Sequence, residues 1–234
     1  MAAKSERTRE LVLQAALRHF REQGYAATTM RGIAAEAGVS TGNAYYYFAG
    51  KDELVQELYR RIQQEHRSVA DPRLTPGAPL AENLRTVLHA ALEVMTPYHG
   101  LGAGLLSPAL STHRAVSPFS AASEAPRQQA ISLMEEAVTV SRGAPGGALA
   151  DRLPQLLWLA YLGVTLHWVL DTSPDQQRSR VLVDGLAPLL ARTISLSRLP
   201  VGRRLATDVI DLLDRLAAPT PPDTTGPTED HREP

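Results

Sequence analysis

The sequence predicts an all-α protein, in which an N-terminal three-helix unit containing a helix-turn-helix precedes a larger helical domain. Three observations predict it. Apolar residues recur at helical spacing along nearly all of the 234 residues, no stretch alternates apolar and polar residues as a half-buried strand does, and no internal repeat divides the chain.

The first helix covers residues 5–23, with Val12, Ala15, Ala16 and Phe20 on one stripe; Gly24 suits the left-handed position that ends a helix. Thr28 and Thr29 are placed to cap a short helix reaching Ala37, Gly38 stops it, and Ser40 caps a second short helix ending near Tyr47. A longer connecting helix spans residues 51–69. Pro72, Pro76, Gly77 and Pro79 then mark a loop, after which Leu80, Leu84, Val87, Leu88, Ala91, Leu92 and Met95 follow a helical period and Pro97 closes the helix. Residues 98–122 are rich in Gly, Pro, Ser and His, and one short helix is expected there at 105–110 between mobile connections. Helices at 123–142, 151–170 and 175–196 follow, the first two separated by the Gly-rich break at 143–147, and an amphipathic helix is expected at 205–216. Beyond Ala218, Pro, Thr, Asp and Glu leave little to bury, so residues 219–234 read as a disordered tail. The division is therefore a helix-turn-helix unit over 1–50 and a helical domain over 51–218.

Composition narrows the function classes. Hydrophobic residues make up 44% and charged residues 21%, the balance of a globular protein with a sizeable core. Cysteine is absent, which removes disulfides, thiolate zinc sites and thiol nucleophiles and agrees with a cytoplasmic location. The N-terminus mixes Lys4, Glu6, Arg7, Arg9 and Glu10 without an apolar segment, unlike a secretory signal. The longest apolar run, 156–170, is interrupted by Thr165 and His167 and falls short of the roughly 20 residues that span a bilayer, so a buried helix and no membrane partner are expected. The formal net charge is -1, but residues 1–51 carry 7 Lys and Arg against 4 Asp and Glu, a modest positive bias that suits an anion-facing module.

The segment 28–48 carries the function. Ala34 and Ala37 let two helices lie close, Gly38 supplies the turn between them, Ile33 and Val39 fill the angle, and Phe48 closes this small core. The second helix opens with Ser40, Thr41, Gly42 and Asn43, short residues that let its end enter a major groove, and the hydroxyls of Thr29, Ser40 and Thr41 suit phosphate oxygens. The Asn43 amide matches adenine N6 and N7 bidentately. Tyr45 and Tyr46 offer a phenol for phosphate or a ring face for a thymine methyl; Arg31 suits guanine or the backbone. Lys51, one of only two lysines, stands at the start of the connecting helix, where it can grip phosphate.

Together these positions closely resemble the TetR (tetracycline repressor) family. The resemblance rests on Gly24-Tyr25, Thr28-Thr29, Ile33-Ala34, Ala37-Gly38-Val39-Ser40, Gly42 and Tyr45-Tyr46-Tyr47-Phe48-Ala49-Gly50-Lys51, in that order, and covers about residues 7–58. It implies DNA contacts at Thr29, Arg31, Thr41, Gly42, Asn43, Tyr45, Tyr46, Tyr47 and Lys51. Tyr47 stands where the family often has histidine, so a phenol replaces an imidazole there. It also implies a ligand-responsive regulator, by default a repressor, that dimerises through its last two long helices, expected here at 151–170 and 175–196, and binds a near-palindromic double-stranded operator. A transcriptional activator is the near alternative; a helical enzyme using His99, Glu135 and Glu136, or a scaffold, are the distant ones.

The inducer is expected to be small and largely apolar, in a pocket drawn from Met95, Tyr98, His99, Leu106, His113, Met134, Trp158, Tyr161, His167 and Trp168. His99 and His113 lack a ligand spacing that would hold a metal, and no cofactor motif is present. A ligand there is expected to bias the pivot of the 51–69 helix and thereby the separation of two reading helices.

Overall fold

The computed structural model describes residues 2–110, 115–146, 148–197 and 208. The expected helix at 205–216, the tail at 219–234 and His113 lie outside the described residues. Among those described, the secondary structure is helical, with no β-ladder.

The N-terminal unit is α1 (Ala2–Ala27), α2 (Met30–Glu36) and α3 (Thr41–Tyr47), followed by the long α4 (Lys51–Ala70). The first helix does not stop at Gly24. Gly24 takes φ 77°, a conformation open to glycine, and makes a kink from which one further turn runs to Ala27. That turn is held by Thr28, whose buried hydroxyl donates to the Gly24 carbonyl at 2.7 Å. Thr29 alone caps α2.

The remaining helices are α5 (Leu80–Met95), α6 (His99–Leu110), α7 (Glu124–Val140), α8 (Ala148–Leu170) and α9 (Gln177–Leu196). The short helix expected at 105–110 is twice as long. Its glycines, which argued for mobile chain, instead permit close helix contacts: a Cβ at Gly102 would lie 2.8 Å from the Val169 side chain of α8.

Two apolar cores meet along α4. The first joins Val12, Leu13, Phe20, Ile33, Ala44 and Phe48 to Leu54, Val55 and Leu58 of α4, and to Leu101 and Leu105 of α6. The second gathers Leu84, Val87, Leu88, Leu133, Met134, Leu157, Trp158 and Val183 from α5, α7, α8 and α9. A boundary drawn at residue 50 thus cuts through the first core, because α4 and α6 complete it. An Arg cluster from α1 and α4 closes around Glu57 on the same seam: its carboxylate accepts from Arg9 Nη2 at 2.8 Å, Arg60 Nε at 2.9 Å and Arg61 Nε at 2.9 Å.

By length and composition α8 is apolar enough to cross a membrane, with 22 residues at a mean hydropathy of 1.3. Here Leu153, Leu157, Trp158, Tyr161, Val164 and Trp168 bury one side of it in the second core. Its junction with α9 is held by Asp171, which accepts from Ser173 N and Oγ and from Ser179 N and Oγ at 2.6–2.9 Å.

His66 of α4 is fully buried. Its Nε2–H donates to the Val87 carbonyl at 2.9 Å, which leaves Nδ1 as an unpartnered acceptor, and its ring stacks on Tyr161. Burial, assisted by the nearby Arg67 charge, pushes its pKa down to about 4 against the opposing pull of the Val87 bond. A depressed folded-state value means the stabilisation is fully present above the unfolded pKa near 6.5 and is lost on acidification toward 4. Urea unfolding at pH 7.5 and 4.5 should therefore show a loss of about 2–3 kcal/mol attributable to this ring, absent from His66→Gln. Parallel pH profiles for the two proteins would refute it.

Candidate nucleic-acid interface and ligand cavity

The helix-turn-helix is built by two hydroxyl caps and one left-handed glycine. Thr29 Oγ1 accepts from Gly32 N at 3.1 Å and Ser40 Oγ from Asn43 N at 3.1 Å. Each uses an oxygen lone pair, so the hydroxyl proton remains available for an outside acceptor. Gly38 takes φ 68°, and the Val39 amide returns to the Ala34 carbonyl at 3.0 Å, which sets the angle between α2 and α3.

Burial divides α3 sharply. Ala44 and the following Phe48 are fully buried, whereas Thr41, Gly42, Asn43, Tyr45 and Tyr46 face solvent, Tyr46 at 79% exposure. Arg31 is exposed one helix back. Tyr47 is half-buried, its ring edge-on to Tyr46 and its hydroxyl accepting from Ser5 at 3.3 Å. Glu36, the only carboxylate between residues 28 and 50, is taken up by Arg18 and His19 of α1. The one carboxylate of this segment is thus turned toward α1.

Lys51 is differently engaged from its expected phosphate grip. Its Nζ donates to the Tyr25 carbonyl at 2.6 Å and lies 4.5 Å over the Tyr25 ring, tying the C-terminus of α1 to the start of α4. A phosphate at this position competes with that carbonyl.

The larger domain holds a cavity of about 560 Å³ between α4, α6, α7, α8 and the segment after residue 115. Of the residues expected to line it, Tyr98, Leu106, Trp158 and Tyr161 do. Five do not. Met95, Met134 and Trp168 are packed inside the second core, where apolar periodicity puts them without regard to any ligand. His99 bonds through Nε2 to the Trp168 carbonyl at 3.0 Å, and His167 through Nδ1 to the Ser179 hydroxyl at 2.9 Å, so both histidines link helices. The wall also includes Tyr59, Ile62 and Gln63 of α4, Leu101 of α6, Phe119, Arg127 of α7, and Leu162 and Val169 of α8. The α4 residues were legible as a second apolar stripe, Tyr59 and Ile62, on a helix read only as a connector.

The wall is apolar apart from a few groups. Tyr59 Oη donates to the Val116 carbonyl at 3.1 Å, and burial pushes its phenol up to about 12; Tyr161 is raised for the same reason. Gln63 Nε2 donates to Tyr161 Oη at 3.1 Å. Arg127, the one charged residue among the described residues of the wall, donates to the Pro118 and Ser120 carbonyls at 2.9 and 3.1 Å. The carboxylates an enzyme reading would need are elsewhere: Glu136 pairs with Arg67 at 2.8 Å and Glu135 faces solvent.

Comparison with known proteins decides the family. A model described as the tetracyclin repressor-like C-terminal domain matches residues 83–213, more than half of the chain, and one described as bacterial regulatory proteins of the tetR family matches residues 12–58. The chain belongs to the TetR family. An uncharacterised HTH-type transcriptional regulator of Bacillus subtilis, YhgD, is 38% identical over 85 residues, 36% of this TetR-family chain and 44% of that protein. The match thus spans under half the length of that relative. Among solved structures, the fatty acid degradation regulator FadR of Bacillus halodurans superposes with a TM-score of 0.60 at 19% identity over 79% of this chain and 94% of its own. The SmeT–triclosan complex superposes with a TM-score of 0.57 at 23% identity over 77% of this chain and 89% of that one. At these identities the likeness is one of fold.

Proposed function

We propose that this protein is a ligand-responsive transcriptional repressor that binds a near-palindromic operator as a homodimer. The observation that carries it is the solvent face of α3, where Asn43, Tyr45 and Tyr46 stand exposed around a buried Ala44 with Arg31 alongside. Asn43 reads a base edge; Thr29, Ser40, Thr41 and the phenols meet phosphate. Membership of a repressor-named family supports repression, and a DNA-binding role agrees with a cytoplasmic location.

A second copy of the chain is the partner. Leu166 and Leu170 of α8 and Val181, Leu189 and Leu196 of α9 are 41–70% exposed, an apolar face that the monomer leaves in water. Pairing these helices about a two-fold axis gives a four-helix interface and sets the two α3 helices about one DNA turn, ~34–36 Å, apart. Val181→Arg with Leu189→Arg is expected to weaken dimerisation by roughly a hundredfold and operator binding with it, read by sedimentation. A double variant that stays dimeric at the wild-type concentration range refutes this interface.

The cavity supports ligand response. Leu58 belongs both to its wall and to the first core, so a ligand that displaces α4 shifts the unit carrying α3. A differential of 1–3 kcal/mol between the two spacings weakens operator binding by about 5–150-fold. The test is a footprint on DNA upstream of the chain's own gene. A protected two-fold site, affinity falling with salt, and lower reporter expression in the protein's presence are expected; no protected site, or higher expression, would overturn binding or repression respectively.

A further inference from the structure

Among the described residues of the cavity wall, one buried side-chain polar atom has no hydrogen-bond partner. Gln63 commits its Nε2 to Tyr161 Oη, and its Oε1 is buried without a hydrogen-bond partner. A buried amide oxygen without a donor is costly, and such groups in folded proteins are otherwise paired. One turn along α4, His66 Nδ1 is likewise a buried acceptor without a partner, its ring stacked on Tyr161. Among the described residues no carboxylate lines the cavity, which disfavours a cationic ligand, and the one described cation of the wall, Arg127, donates through Nη1 to two main-chain carbonyls of the 115–123 segment. What Gln63 Oε1 lacks is a donor.

We propose that the cavity selects an uncharged, largely apolar molecule carrying a hydroxyl, and that Gln63 Oε1 accepts the hydrogen bond from that hydroxyl. The inference rests on the reading of the cavity as the ligand site. Leu101, Leu162, Phe119 and Trp158 supply the apolar enclosure, and the bond to Tyr161 holds the Gln63 amide by its nitrogen, leaving the oxygen for the ligand hydroxyl. A ligand of the same shape without the donor loses affinity because the amide oxygen then stays unpaired in a dry site.

The full-length protein is titrated with 4-hexylphenol, 4-hexylanisole and 4-hexylbenzoate, followed by calorimetry and by Trp fluorescence, since Trp158 is in the wall. The phenol is expected to bind about tenfold more tightly than the anisole, with the benzoate no tighter than the anisole. In Gln63→Leu, and in Gln63→Met as a second volume-matched variant, the phenol-to-anisole ratio should fall to within about twofold through weaker phenol binding alone. Circular dichroism and the urea midpoint establish that each variant is folded. Equal wild-type affinities for phenol and anisole, a ratio that survives in both variants, or tightest binding by the benzoate overturns the role of Gln63 while leaving the cavity as the ligand site. Failure of all three to bind overturns the ligand-site reading itself.

Discussion

Glu57→Gln is expected to lower the unfolding free energy of the protein by about 2–3 kcal/mol, seen as a lower urea midpoint at pH 7 with an unchanged slope. The carboxylate is 5% exposed and receives hydrogen bonds from three guanidiniums, two of them bidentate, from Arg9 and Arg60, and one from Arg61 Nε. Burial alone would raise its pKa; the bonds from Arg9, Arg60 and Arg61 outweigh it and hold the carboxyl well below the usual carboxylate range. Arg61 also pairs with Glu10, and Arg9 lies 4.8 Å over the Phe48 ring, so the substitution leaves three cations facing one anion at the seam between α1 and α4. Removing one partner from a buried pair typically costs about 3–5 kcal/mol. The arginine side chains are 26–40% exposed and can recover water, which brings the expectation below that range.

The pH sign follows. A depressed folded-state pKa contributes stability above the unfolded value near 4.5 that is lost as pH falls below it, so the gap between wild type and Glu57→Gln should close in acid. An unchanged midpoint at pH 7, or a gap that widens in acid, would show that the arginines do not depend on this carboxylate.

Asn43→Ala is expected to weaken operator binding by about 10–100-fold while the dimer and the urea midpoint stay as in wild type. The side chain is exposed on a helix, where alanine has the higher helix propensity, and the Ser40 cap is made to the Asn43 backbone amide, which the substitution keeps. A residue that reads a base edge and one that grips a phosphate differ in a second measurement. Asn43→Ala should leave affinity for unrelated DNA and the salt slope nearly unchanged, whereas Arg31→Ala should weaken both classes of DNA and lower the slope by about one. Wild-type operator affinity in Asn43→Ala would remove this residue from the interface.

Local motifs were legible because each is a short-range solution to a short-range problem. Ser40 caps the helix that begins beside it, Gly38 takes the positive φ of a turn four residues long, and Ala44 and Phe48 are buried because their neighbours on α3 are polar. Gly24 shows the limit of the same logic. Glycine tolerates the kink as readily as the stop, and the kinked form is the one held by the short-range bond from the Thr28 hydroxyl to its carbonyl. Lys51 shows it again: a lysine at a helix start near DNA suits phosphate, but the carbonyl end of α1 arrives at the same place and takes the ammonium.

By itself, then, the amino-acid order determined the all-α class, the helix-turn-helix and its outward-facing residues, and the family that both imply. Only the tertiary structure decided which side chains line the cavity. Apolar periodicity marks Met95, Met134 and Trp168 as equally eligible with Trp158 and Tyr161, since the spacing that buries a residue is the same whether it meets another side chain or an empty volume. The unpaired oxygen of Gln63 and the seam around Glu57 are invisible in sequence for the same reason: each depends on groups brought together by helices 40 to 100 residues apart, where local pattern carries no information.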